Sequence, residues 1–306
     1  MNCVDIWRTT AIQPNQEELG HGDKLFPLAT YHCIIPTAQF PSVPPHWHAE
    51  FEISLITEGR ANYKFGMENY VTSPDDIIII APNTLHSIVP INGEVQVSDT
   101  IVFHLNLAGL SNPDRCTIKY LQPLFSGEYG VVNHISPERE GYAEIRECFD
   151  ELYKLVGQKP QYYELDLKVM LPKLFKLFYV DNLVITSQET NSHIRQNELI
   201  ANILRYIDEN YRSDISIHSI AAEFCLSDVY FMTYFRKTSG MTCNRYITEV
   251  RLREAGRMLI NTDLSVSEIC FECGFRNLSN FNRRFREYYS VTPSEYKKML
   301  KEGSGK

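Results

Sequence analysis

The stretch IHSIAAEFCLSDVYFMTYF, residues 217–235, returns as VSEICFECGFRNLSNFNRRF, residues 266–285. Ile217, Ile220, Ala221 and Phe224 are apolar at helical spacing, and Val266, Ile269, Cys270 and Cys273 repeat that spacing. Leu226, Phe231 and Phe235 then find counterparts in Phe275, Phe281 and Phe285, and the copies close on Gly240-Met241-Thr242 and Ser290-Val291-Thr292. The first helices are offset by 49 positions and the last phenylalanines by 50, so one residue has been added in the second turn. Self-similarity at this period marks a duplicated supersecondary unit. Each copy reads as a short helix, a turn and a second helix, the outline of a helix-turn-helix.

The physics of each copy fits that outline. In each first helix the i, i+3, i+4 and i+7 positions are apolar, so one face is buried. Ser265, with Glu268 three residues later, is a capping box that sets the start of the second copy. Gly274 is expected to end that copy's first helix in the left-handed conformation that glycine tolerates. Phe231 with Phe235, and Phe281 with Phe285, point inward together. The residues left facing out are Asp228, Val229, Met232 and Thr233 in the first copy, and Leu278, Ser279, Asn282 and Arg283 in the second. A plain four-helix bundle with a solvated face is the bland alternative.

Gly274-Phe275, Ser279 through Phe285, and Val291-Thr292-Pro293-Ser294-Glu295-Tyr296 resemble the signature of the AraC/XylS family of bacterial transcription regulators. The first copy agrees through Leu226-Ser227, Tyr230-Phe231 and Thr238-Ser239-Gly240, and the resemblance covers about residues 198–300. It implies two helix-turn-helix subdomains joined by a long helix, here about Asn244 to Ile260, with both recognition helices on one face of duplex DNA, ~10 bp apart. It also implies RNA polymerase as a protein partner, a small-molecule effector (a sugar being one candidate) and a homodimer. Two positions depart from the pattern: Thr233 stands where the family usually has arginine, and Cys243 where proline is frequent. The second copy is therefore expected to carry more of the base discrimination, because Arg283 suits guanine and Asn282 adenine in the major groove. Met232 and Val229 offer only apolar contact to thymine methyls. Arg236, Lys237, Arg276, Arg284 and Arg286 are the phosphate candidates, and Arg276, Arg284 and Arg286 are read onto one helix with Arg283.

Composition bounds the rest. At 306 residues, two domains are natural. The net charge of −8 argues against nucleic acid until the chain is split: residues 197–306 carry 16 Lys/Arg and 14 Asp/Glu, whereas residues 1–196 carry 14 and 24. An acidic front half does not exclude DNA binding by the back half. The N-terminal stretch, with Asp5, Arg8, Glu17 and Glu18, has no apolar core, and Ile77 to Ile80 is too short to span a bilayer, so a cytoplasmic protein is expected. The eight cysteines are scattered, as in a reduced protein. Cys270 and Cys273 form a CxxC, but both occupy apolar positions of the helix pattern and read as core thiols.

From Leu28 to about Leu107 short β-rich runs alternate with turns: Thr30–Ile35, Phe51–Thr57, Ala61–Phe65, Ile77–Ala81, His86–Val89 and Val95–His104. Such spacing suggests a sandwich or barrel. His46, His48 and Glu52 share parity, so an extended strand projects them from one face. Imidazole and carboxylate are ordinary ligands for zinc, iron, nickel or manganese. The spacing HxH, three residues, Glu, six residues, Gly59 resembles the first cupin motif, and Pro82-Asn83-Thr84-Leu85-His86 a shortened second, with Pro90 where asparagine is expected. His46, His48, Glu52 and His86 are thus candidates both for a divalent metal and for the wall of a ligand pocket. Trp47, Phe51, Ile53 and Leu55 take the opposite parity, so a merely solvated face remains open. AraC-type sensors often keep such histidines without a metal, and no cofactor is required by the resemblance.

Glu138 to Val156 is helical by pattern, ended by Gly157 and Pro160, and Tyr163 to Tyr179 is a second helix that Pro172 should kink or split. Thr186 to Gln196 is polar and reads as a linker before a helix from Glu198 to Tyr211. The expected architecture is α+β in two domains: a cupin-like β-barrel (1–137) with a helical dimerisation segment (138–185), a linker (186–197) and an all-α double helix-turn-helix (198–301). The expected function is a ligand-responsive DNA-binding regulator and not an enzyme. The rivals are a metal-dependent cupin enzyme with a helical appendage and an interaction module that has lost DNA contact. The sequence leaves open activation against repression.

Overall fold

The structure, a computed structural model, describes residues 16–17, 26–36, 42–104, 107 and 114–303. The charged N-terminal positions Asp5, Arg8 and Glu18 lie outside these. The chain divides into two compact units, one holding Ser42–Glu198 with the strands before it, the other beginning at Leu199.

The first unit is built from strands β1 (Gln16–Glu17), β2 (Leu28–Ile35), β3 (Val43–His48), β4 (Phe51–Glu58), β5 (Ala61–Phe65), β6 (Glu68–Val71), β7 (Ile77–Ile80), β8 (His86–Pro90), β9 (Gln96–Phe103), β10 (Gly130–Val131), β11 (His134–Ile135) and β12 (Val184–Ile185). They form two five-stranded sheets, ordered β1-β3-β8-β5-β6 and β11-β7-β4-β9-β2, with β10 and β12 as a separate pair. Pairing is antiparallel except for β1 against β3. The sheets face each other across Ile35, Ile56, Ile78 and Ile80 from one and Val43, Ala61, Tyr63, Phe65 and Ile88 from the other. The other face of the second sheet, with Phe51, Ile53, Leu55, Ile77, Ile79, Ile101 and Phe103, packs against helices α1 (Tyr142–Gln158) and α2 (Tyr163–Val180).

Sequence reasoning located the six main strands to within a few residues and missed β3 and β6 as strands. Every residue of β3 is buried, so it shows no alternation to read. Helix α1 starts later than expected, after Gly141 in a left-handed conformation, and continues through Gly157 to a left-handed Lys159. Pro172 does not split α2, which runs unbroken through it. The carbonyl of Lys168 that proline leaves without an N–H partner lies on the exposed side of the helix, where water can bind it. The expected linker is another correction. Helix α3 runs from Ser187 to Asn210, so residues 187–196 are helical. They contain no glycine or proline, and Gln188, Glu189, Arg195 and Gln196 are good helix formers. Cys33 is disulfide-bonded, against the expectation of thiols throughout, and its partner lies outside the described residues. Linear spacing does not reveal which cysteines folding brings together.

The second unit follows the duplicated pattern. After α3 come α4 (Ile217–Glu223), α5 (Asp228–Ser239), α6 (Cys243–Asn261), α7 (Val266–Glu272), α8 (Leu278–Tyr289) and α9 (Pro293–Gly303). Capping boxes open both first helices, at Ser216/Ser219 and Ser265/Glu268, and Gly274 is left-handed as expected. Phe231, Phe235, Phe281 and Phe285 are wholly buried. Cys270 and Cys273 belong to the core of the second copy, with the Cys273 sulfur 3.7 Å from that of Met258 and its thiol pushed up to about 12 by burial. Phe285 packs with Phe281, Tyr289 and Tyr296. Phe285→Ala should therefore destabilise the second unit by about 3–5 kcal/mol, and Ser265→Ala, which loses one cap, by about 1 kcal/mol. Urea unfolding monitored by circular dichroism checks the ranking, and equal losses would contradict it.

Candidate nucleic-acid interface and barrel histidine cluster

Helices α5 and α8 are the second helices of the two copies. Each starts on a side-chain cap: Ser227 accepts from the Tyr230 N–H, and Asn277 from the Asn280 N–H. With the phenylalanines fixed inside, Val229, Met232, Thr233, Leu278, Ser279, Asn282 and Arg283 are all exposed, Val229 at 72%. Asp228 is half-buried and faces His218 at 3.2 Å. The hydroxyl of Thr233 donates to the Val229 carbonyl at 2.9 Å, so its hydrogen is already used within the helix.

The arginines are less free than the sequence suggests. Arg283 donates to Glu287 at 2.7 Å and to the Asn280 side chain at 3.0 Å, and Arg284 donates to the same Glu287 at 3.1 Å. Those hydrogen bonds and charges hold the Glu287 carboxyl below its ordinary range. Arg276 is not on the helix. It precedes the cap Asn277 and pairs with Asp214, because the second copy's extra residue lengthens the turn. Arg236 and Lys237 lie exposed in the last turn of α5, and Arg286 is exposed in the last turn of α8. Sequence reasoning passed over Glu287 and Asn280, though both stand at helical contact spacing from Arg283. Exposed pairs of this kind contribute little and exchange readily for phosphate.

The first unit brings the other candidates together. His46 and His48 of β3, His86 of β8 and Glu52 of β4 face the interior, the three histidines being only 5%, 1% and 2% exposed. This disposes of the solvated-face alternative. One potential ligand atom from each histidine lies within 4.8 Å of the others. The Nδ1 atoms of His46, His48 and His86 sit 2.9, 3.0 and 2.8 Å from the carbonyl oxygens of Pro44, Glu50 and Thr84. A carbonyl only accepts, so each Nδ1 carries a proton; the Nε2 atoms of His46 and His86 have a lone pair to offer, whereas that of His48 faces the Glu52 carboxylate. Backbone anchoring of this kind is what orients metal-binding imidazoles.

Glu52 approaches the His48 Nε2 at 3.2 Å and accepts from the Ser54 hydroxyl at 2.9 Å, and Ser54 reaches Thr100 at 2.8 Å. Burial works against its charge, but the His48 hydrogen bond and charge outweigh it and leave the Glu52 carboxyl below its ordinary range. Burial, then the neighbouring His46 and His48, push His86 well below its usual value, so it is neutral at pH 7. Three histidines within ligand reach of one another, with an ionised carboxylate beside them, are the side-chain types a divalent transition metal takes. Ser54 and Thr100, unremarked in the sequence, extend the polar lining.

Residues 220–299 match the helix-turn-helix domain family, and residues 32–167 match the AraC-like ligand binding domain. That pairing defines a ligand-responsive, DNA-binding transcription regulator. The chain belongs to the AraC family, and its relatives are transcription regulators. It is 24% identical over 290 residues to the HTH-type transcriptional regulator YdeC of Bacillus subtilis (strain 168), covering 94% of this chain and 98% of that one. The melibiose operon regulatory protein of Escherichia coli (strain K12) is 25% identical over 272 residues, covering 87% and 85%. Among solved structures, ToxT of Vibrio cholerae O395 aligns over 89% of this chain and 98% of its own with a TM-score of 0.39 and 15% identity. No helix among the described residues is long and apolar enough to cross a membrane.

Removing the carboxylate that holds both arginines should strengthen DNA binding. Glu287→Gln is expected to tighten binding to a non-specific duplex by about two- to fivefold, the worth of an exposed ion pair, and to steepen its salt dependence. Fluorescence anisotropy over a salt series is the check, and unchanged or weaker binding goes against this account.

Proposed function

We propose that the second unit reads its operator mainly through α8, and that the first unit is an effector-sensing barrel that dimerises through α2. The observation that carries this reading is the asymmetry of the two outward faces: Arg283, Asn282 and Ser279 on α8 against Val229, Met232 and a self-bonded Thr233 on α5. Arg283 suits two hydrogen bonds to guanine and Asn282 a pair with adenine. Val229, Met232, Thr233 and Leu278 supply shape and methyl contacts at base edges, and Asp228 accepts from a cytosine amine. Arg236, Lys237, Arg276, Arg284 and Arg286 meet phosphate and give affinity without sequence preference. The working division is barrel 1–137, dimerisation helices 138–185 and DNA-binding region 198–301, with the expected linker carried by the first part of α3.

His46, His48, Glu52 and His86 border the effector pocket and would hold a divalent metal, which would supply a Lewis-acidic anchor for an oxygen-bearing ligand. The barrel senses its ligand and does not convert it. A sugar is the first class to test, since one relative is a melibiose operon regulator. RNA polymerase is the partner through which a cytoplasmic regulator of this kind acts on transcription.

The dimer reading rests on α2. Its inner face buries Leu167, Leu171, Leu174, Phe175 and Phe178, while Tyr162 beside its start, Leu165 and Val169 are 65%, 66% and 71% exposed. Two copies packed antiparallel about Val169 would set Leu165 over the partner's Pro172 and Asp166 near the partner's Lys173, opposite charges on one flank. Val169→Asp should convert the dimer to monomer in sedimentation equilibrium. A dimer that survives it sinks the α2 interface.

For the DNA reading, Arg283→Ala should cost about 1–3 kcal/mol on the preferred duplex and relax preference at one position. Thr233→Ala should cost less. Arg286→Ala should weaken all sequences alike and lower the salt slope by ~0.9. Binding of each variant to the selected duplex and its single-base variants decides. If Arg283→Ala leaves relative preferences intact while Thr233→Ala erases them, the reading helix is α5 instead.

A further inference from the structure

We infer that a cleft between the connector α6 and the recognition helix α8 binds a dipolar small molecule, an α-amino acid or a dipeptide, separately from any ligand of the barrel. The cleft lies wholly within the second unit and has a volume of about 520 Å³. That is inside the ordinary range for small-molecule sites. Arg245, Glu249 and Leu252 of α6 line one side, and Arg284, Glu287 and Tyr288 of α8 the other.

Each side therefore carries one positive and one negative group. On α6, Arg245 donates through Nε to Glu249 at 2.8 Å, and on α8, Arg284 donates to Glu287 at 3.1 Å. The Glu249 side chain is only 7% exposed, so this is more than a solvated surface pair. A simple anion in the cleft would meet two glutamates, and a simple cation two arginines. A molecule with an ammonium at one end and a carboxylate at the other finds a partner for each.

Its orientation follows from three features. Thr242 caps the N-terminus of α6 at the edge of the cleft, where the aligned peptide dipoles favour an anion. Arg245 holds Glu249 through Nε and keeps its terminal nitrogens for a carboxylate. The Tyr288 hydroxyl is buried close to the charge of Arg253 and has no hydrogen-bond partner. A buried hydroxyl left unpaired is costly, and a ligand carboxylate would accept from it. The ammonium then falls to Glu287, and Leu252 is the apolar contact for the ligand's side chain. Glu287 is the carboxylate that holds Arg283 and Arg284. An ammonium competing for it releases both arginines toward DNA.

The test uses the full chain. In isothermal titration calorimetry with the common L-amino acids and glycyl-L-leucine, at least one should bind with a Kd of about 1 mM or tighter. Propionate and propylamine carry the two charges separately and should bind about tenfold or more weakly, the loss of one charge-assisted hydrogen bond. Tyr288→Phe deletes only the hydroxyl and Glu287→Gln only the charge, and each should weaken the bound probe by about tenfold. In anisotropy the same probe should tighten wild-type binding to a non-specific duplex by about two- to fivefold and leave that of Glu287→Gln unchanged. No binding by any probe, or propionate or propylamine binding equally well, overturns the site whether or not the variants fold. So does a probe held undiminished by either folded variant, which would place it elsewhere in the chain. Binding that both variants weaken, with duplex affinity unchanged, leaves the site standing and overturns its link to DNA.

Discussion

Strand β4 is buried on both of its faces, and the arrangement of the first unit follows from that. Phe51, Ile53 and Leu55 face the helices while Glu52, Ser54 and Ile56 face the opposite sheet, β1-β3-β8-β5-β6. The side-chain period of a strand is two, so a slip of one residue would exchange these sets. It would drive Glu52 against Phe175 and Phe178 of α2 and turn Phe51 toward the histidines. The cost of burying an unpaired carboxylate among phenylalanines excludes that register far more firmly than local strand propensity could. The register of β4 against β7 and β9 then fixes which isoleucines of β7 meet the helices, Ile77 and Ile79, and which meet the interior, Ile78 and Ile80.

How legible the molecule was depended on whether a stretch is covered on one side or two. The helices of the second unit each bury one stripe, so their period, caps and inward phenylalanines could be read directly. The parity that set His46, His48 and Glu52 on one extended strand did not hold: the histidines lie on β3 and Glu52 on β4 of the other sheet, and they approach because both sheets turn these side chains inward. Burial on both faces erased the signal elsewhere. Val43–His48 and Ile77–Ile80 are wholly buried, the first escaping notice as a strand and the second readable only as a short apolar run. The sequence also could not say which side of the parity faces the interior. Trp47 and Phe51 seemed the natural core, yet the polar set is inside too, because α1 and α2 close the other face. Glu287, at i+4 and i+3 from Arg283 and Arg284, was readable as their partner and was passed over, whereas Arg276 leaves the helix because the added residue lengthens the turn.

The two helix-turn-helix copies kept one set of constraints and relaxed another. Both retain a capping residue before the second helix and two buried phenylalanines one turn apart within it. Their outward faces diverged from apolar to charged and amide-bearing. Such a division is expected where the core fixes the position of each helix and the surface alone meets the ligand.

The turn between the helices shows why the copies are not interchangeable. Each needs a left-handed residue there, Cys225 in the first and Gly274 in the second. A Cβ at Gly274 would meet the carbonyl oxygens of Tyr211 and Arg212 at 2.8 Å, so glycine is required by close approach as well as by its torsion angle. Those carbonyls belong to the segment that ends α3 and leads into the first copy. Arg251 of α6 donates to two carbonyls of the same segment, those of Tyr211 at 2.8 Å and Ser213 at 2.9 Å. Arg276, the residue added in the second turn, pairs with Asp214 a few positions on. Three groups from the connecting helix and the second copy thus converge on one short segment of the first. The added residue serves to bring the second turn against that segment, and the spacing between the two recognition helices rests on this junction together with α6.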